Sequence, residues 1–106
     1  MKLARLGLMI LSIALVFAFT SSAYAQDDPA ALYKSKCSVC HGPDGKGTPV
    51  GTKIGVKDFH APEVAKLSDT ELFEITKKGK EKMPAYDGKL TDDQIKALIK
   101  YVRSLK

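Results

Sequence analysis

The sequence has no tryptophan and only two cysteines among 106 residues. Two cysteines can close one bridge at most, so a disulfide-dense secreted scaffold is excluded. No basic run with interleaved aromatics occurs, which argues against nucleic acid as a partner. Alternating apolar and polar runs are missing, so no half-buried strand is expected. Beyond residue 25 there is a single methionine, Met83. The one long apolar run, Leu6 to Phe19, has 14 residues. A membrane-spanning helix needs about 20.

That run sits in a secretory-signal pattern. Lys2 and Arg5 give a positive start, and Ala23-Tyr24-Ala25 is an A-x-A cleavage site. Cleavage after Ala25 is expected, leaving Gln26 to Lys106 as one domain of 81 residues. No cysteine follows the run at the cut, so neither a lipid anchor nor stable membrane insertion is expected. The expected address is the periplasm, in soluble form. Loss of Lys2 and Arg5 leaves 15 basic against 12 acidic side chains, so the formal charge falls from +5 to +3. Domains below roughly 70–80 residues often need a metal, disulfide or cofactor to complete their core.

The remaining chain reads as all-α, with three main helices and long loops. Asp27 or Asp28 caps a first helix, with Pro29 at its first position, running into Cys37. Residues 42–55 hold five glycines and two prolines and read as loop. Pro62 to Lys66 suits a short helical turn. Ser68-Asp69-Thr70-Glu71 and Thr91-Asp92-Asp93-Gln94 are capping boxes that open the other two helices. Gly79 is a natural stop for the middle helix. In the last, Ile95, Leu98, Ile99 and Val102 make an apolar stripe at helical spacing.

Chemistry concentrates at Cys37-Ser38-Val39-Cys40-His41. C-x-x-C-H is the attachment signature for c-type haem. Each thiol can add to one haem vinyl group, and the adjoining His is then held under the iron. Two other readings remain at this point. The pair could be a structural bridge, although such a short loop adds little stability. It could be a redox dithiol, although that motif usually follows a strand in a βαβ setting. A second axial ligand would separate an electron carrier from an open, five-coordinate site. Met83 is the candidate, since it lies in a loop and before Pro84, which biases it toward extended backbone. Thioether ligation raises the potential of a His/Met haem.

These residues resemble the small bacterial class I c-type cytochromes. The likeness covers a helix leading into C-x-x-C-H, a glycine-rich loop, a middle helix, a Met-Pro-Ala-aromatic run and a terminal amphipathic helix. Met83 follows His41 by 42 residues, as in the compact members. The resemblance implies the cytochrome c fold wrapped around one covalent haem c, with no enzymatic activity. It implies that Cys37 and Cys40 hold the haem and that His41 and Met83 ligate its iron. It implies that the first and last helices cross, placing Tyr33 near Tyr101, and that a loop carbonyl orients His41. The candidate carbonyl is that of Pro49. The function implied is single-electron shuttling between respiratory or other redox enzymes. Lys77, Lys78, Lys80 and Lys82 precede Met83 closely and suit a basic rim for an acidic redox partner. His60 lacks clustered ligand residues and reads as solvent-exposed, while Phe59 reads as core.

Overall fold

The computed structural model describes residues 28–106. The expected signal segment, Met1 to Ala25, lies outside the described residues. Six helices are present among those described: α1 (Pro29–Lys36), α2 (Ser38–His41), α3 (Pro49–Lys53), α4 (Pro62–Ala65), α5 (Asp69–Lys78) and α6 (Asp92–Ser104).

The helix ends form for local reasons. Asp28 accepts from the Ala30 amide, and Pro29 occupies the first turn of α1, where its missing N–H costs nothing. Ser68 and Glu71 exchange side-chain and backbone bonds of 3.1 and 2.8 Å at the start of α5. Thr91 and Gln94 do the same for α6, at 3.1 and 2.8 Å. Each exchange satisfies two backbone donors that a helix start leaves open.

The stripe of α6 builds the core. Ile95, Leu98 and Ile99 are buried together with Tyr33 of α1 and Leu90 of the preceding loop. Val102 packs at the margin and stays half-buried. The α1–α6 crossing places the Tyr33 and Tyr101 rings 5.2 Å apart, as the resemblance implied. Helix α5 packs on the same α6. Arg103, near the end of α6, donates to Asp69 at 3.1 Å and to the Leu67 carbonyl, tying α6 to the start of α5.

The stretch 42–55 is not all loop, because residues 49–53 are helical. Thr48 caps α3 by accepting from the Gly51 amide at 3.0 Å, and Pro49 is pre-set for the first turn. Gly51 is not a breaker here. A Cβ on it would lie 2.0 Å from the Cys40 carbonyl oxygen, so the glycine lets α3 sit directly on the backbone of α2. The local propensity penalty is outweighed by a contact that no other residue permits.

His60 is exposed but partnered. Its Nδ1 lies 2.7 Å from an Asp58 carboxylate oxygen and its Nε2 lies 3.0 Å from the Leu105 carbonyl. Both partners are acceptors, so only the imidazolium satisfies both. The Asp58 bond, then the Leu105 carbonyl, raise the His60 pKa above its ordinary value.

Two outcomes follow from this packing. Gly51→Ala should destabilise the protein by about 1–3 kcal/mol or more, since the added methyl meets backbone rather than a movable side chain. Val50→Ala, at an exposed neighbour, should change little; equal effects in chemical denaturation would refute the packing account. For His60, the raised folded-state pKa means its contribution is complete below the unfolded value of about 6.5. It is lost as pH rises through the higher folded value. The stability gap between wild type and His60→Gln should therefore shrink from pH about 6.5 upward, and a gap constant with pH would contradict it.

Candidate functional site

The C-x-x-C-H segment lies at the junction of α1 and α2. Cys37 ends α1, and its carbonyl accepts from the His41 amide at 3.0 Å, so the motif winds through one tight helical turn. That turn brings Cys37, Cys40 and His41 together. Both thiols are free and half-buried.

A four-residue helix leaves its last carbonyls without partners, and the following loop supplies them. Thr48 donates its hydroxyl to Val39 at 2.7 Å and its amide to Cys40 at 3.0 Å. The Gly47 amide donates to His41 at 2.8 Å. Tyr33 donates its buried hydroxyl to the Gly42 carbonyl at 2.5 Å. Burial, and then the nearby Cys37, push the Tyr33 pKa up to about 12, so it remains a donor. Thus α1, α2 and α3 form one cassette. Thr48 and Gly51 hold it together, and sequence reasoning assigned neither of them a role. The Thr48-Pro49 pair, a cap followed by a first-turn proline, was the signal available.

His41 is set into this cassette. The Phe59 ring stacks on its imidazole with centroids 4.7 Å apart and planes at 27°. Phe59 reaches it across Gly45, where a Cβ would lie 2.5 Å from the Phe59 ring. Burial lowers the His41 pKa, which keeps the imidazole neutral. Its Nδ1 is buried with no hydrogen-bond partner. The expected bond to the Pro49 carbonyl is therefore not formed. Pro49 begins a helix, and its carbonyl is directed along that helix axis.

Met83 lies in a separate loop. Lys80 and Met83 exchange two backbone bonds, 2.9 and 3.2 Å long, in a tight turn with Glu81 at a positive φ of 55°. Gly79 ends α5 and also lets this loop pass close by. A Cβ there would stand 2.7 Å from the Met83 carbonyl oxygen and 2.9 Å from the Ala85 amide nitrogen. The amides of Tyr86 and Asp87 donate to Thr76 and Lys77 of α5, at 3.2 and 3.0 Å. Tyr86 then reaches across to α1 and donates its hydroxyl to the Lys36 carbonyl at 2.9 Å. Of the four lysines ahead of Met83, Lys77 pairs with Asp92 at 3.1 Å and Lys78 with Glu74 at 2.7 Å. Lys80 and Lys82 carry no ion pair among the described residues.

The chemistry of the set is selective. Among the described residues, no three of His, Cys, Asp or Glu cluster tightly enough to hold a metal ion alone. An iron here needs further ligands of the kind a macrocycle brings. A buried, unpaired, neutral imidazole beside two free thiols suits that group. It does not suit a redox dithiol, whose attacking sulfur needs a depressed pKa. Burial instead pushes the Cys37 thiol up to about 11, against a smaller opposing effect of Lys36. No helix among the described residues is long and apolar enough to cross a membrane.

Comparison with known proteins agrees with this chemistry. The family described as cytochrome C oxidase, cbb3-type, subunit III matches residues 25–102. Cytochrome c6 of Thermosynechococcus vestitus is 30% identical over 104 residues, covering 96% of this chain and 91% of the relative. Cytochrome c-553 of Nitratidesulfovibrio vulgaris is 34% identical over 99 residues, covering 92% and 96%. Among solved structures, the c-type cytochrome KustC0563 superposes with a TM-score of 0.69 at 38% identity, covering 74% of this chain and 98% of its own. The all-α arrangement is accordingly the cytochrome c fold, its cofactor is covalent haem c with iron, and its work is electron transfer rather than catalysis. The chain belongs to the family of small class I c-type cytochromes, as the helix-borne Cys37-Ser38-Val39-Cys40-His41 turn and these relatives together require.

Proposed function

We propose that this electron carrier is exported, and that Cys37 and Cys40 attach its single haem through thioethers while His41 and Met83 ligate the iron. The observation that carries the reading is the buried His41 imidazole, kept neutral by burial, on the same helical turn as two free thiols. A neutral imidazole can offer one ring-nitrogen lone pair to an iron.

The bound haem supplies the one-electron couple. The protein's own residues do the rest. Cys37 and Cys40, fixed on one turn, would each supply a sulfur for one thioether. Phe59 packs on one face of His41 and excludes water from it. Met83 offers a thioether that carries no titratable proton, so its ligation competes with no protonation. Gly79 and the Lys80–Met83 turn fix where that sulfur can lie. With His41 and Met83 both holding the iron, substrates and gases would find no open site on it.

Export rests on Lys2, Arg5, the apolar run Leu6 to Phe19 and Ala23-Tyr24-Ala25, and it places Gln26 to Lys106 in the periplasm as a soluble protein. Lys80 and Lys82, with Lys77 and Lys78 on the adjoining end of α5, form the basic surface for an acidic redox partner. The ion pairs at Lys77 and Lys78 make Lys80 and Lys82 the stronger part of it.

Protein purified from an export-competent host that attaches haem should carry one haem mass that survives denaturation, and begin at Gln26. A colourless protein with two titratable thiols would overturn the reading. Met83→Ala should lower the reduction potential and open the iron to added ligands. An unchanged low-spin His/Met spectrum in that variant would remove Met83 from the site. Lys80→Glu with Lys82→Glu should slow transfer to a natural partner several-fold at low salt and flatten its salt dependence, because rim charges act mainly on encounter rate. Kinetics indifferent to ionic strength in both proteins would end the docking proposal.

A further inference from the structure

Tyr86 stands three residues after Met83, and Lys36 stands one residue before Cys37. The Tyr86 hydroxyl donates to the Lys36 carbonyl across 2.9 Å, joining positions 50 residues apart. Every other hydrogen bond that holds residues 79–90 is made within the segment or to α5, among the described residues. The backbone bonds to Thr76 and Lys77 fix the loop to α5 alone. Only the Tyr86 hydroxyl bonds it to the half of the molecule that carries Cys37, Cys40 and His41. The ring itself is half-buried and packs against the core cluster. Burial raises the Tyr86 pKa first, and the nearby Cys37 and Cys40 add to the effect, so the phenol keeps its proton and remains a donor.

We propose that Tyr86 is a positioning residue that latches the Met83 loop against the Cys37–His41 turn and so sets how fast the distal ligand leaves the iron. The inference rests on Met83 being that ligand. Losing the hydroxyl removes the loop's one hydrogen bond to α1 among the described residues, leaving its bonds to α5 and the packing of the Tyr86 ring and Leu90 on the core. The loop then opens more often without changing what ligates the iron at equilibrium.

The test uses the haem-loaded ferric protein and imidazole as the entering ligand. In wild type, binding should approach a limiting rate at high imidazole, the rate of loop opening. Tyr86→Phe should keep the low-spin His/Met spectrum and raise that limiting rate roughly three- to tenfold, the size expected for one lost hydrogen bond. Tyr101→Phe, whose hydroxyl has no such partner, should leave it unchanged. In a Met83→Ala background, imidazole no longer waits for the loop, so adding Tyr86→Phe should have no effect on rate. A general loosening of the protein would accelerate binding in both backgrounds and would overturn the proposal. So would an unchanged limiting rate in Tyr86→Phe. If Met83→Ala alone leaves the spectrum unaltered, the ligand assignment has failed, and the latch fails with it for that separate and visible reason.

Discussion

Five side chains, Tyr33, Leu90, Ile95, Leu98 and Ile99, make up the fully buried apolar core of the described residues. So small a core cannot by itself order the long connections between α1 and α5 and between α5 and α6. The structure meets that constraint with backbone bonds to helix ends. The terminal carbonyls of α2 are taken by Thr48, Gly47 and Tyr33, and α3 lies on α2 through Gly51. The covalent haem of this family adds apolar mass, which helps explain how a short chain sustains so much irregular backbone.

The two halves differ in construction. The Cys37–His41 half is a tightly cross-braced cassette whose glycines serve close approach. Gly51 admits the Cys40 carbonyl and Gly45 admits the Phe59 ring. The Met83 half is a short turn resting on Gly79, held to α5 by main-chain bonds and hydrogen-bonded to α1 by one phenol. Rigidity on the attachment side and a single latch on the other is a sensible division. On the proposed assignment, the Cys37–His41 side would bear the cofactor permanently, and the Met83 side would need only to hold a weak, soft ligand in reach.

The long-range periodic signals were legible in the sequence. The α6 stripe named three of the five core residues, and both capping boxes formed as the residue types demand. The Tyr33–Tyr101 contact came from resemblance and was met. What could not be read was the role of a residue defined by something distant in sequence. Gly51 looks like a breaker until the Cys40 carbonyl is placed beside it. Pro49 looked like a source of a carbonyl for His41 because its helix was not foreseen, and a helix commits its carbonyls elsewhere. His60 looked like an idle surface residue because Leu105, its second acceptor, lies 45 positions away. Tyr86 was read only as the aromatic in a Met-Pro-Ala-aromatic run, while its hydroxyl reaches across to α1.

The electrostatics explain why such a scaffold favours passing electrons over doing chemistry. Burial acts in one direction on every titratable group around the attachment turn whose pKa departs from the ordinary. It raises Cys37, Tyr33 and Tyr86 and lowers His41, and in each case the neutral form gains. A catalytic site does the opposite and poises at least one group to take or give a proton near neutral pH. Here nothing adjacent to the cysteines is poised in that way. His60, whose pKa is raised, is exposed and bonded to Asp58 and Leu105. An iron held in such surroundings can change its charge with little proton movement in the protein around it. The basic surface proposed beside Met83 would then bear on which partner the electron meets.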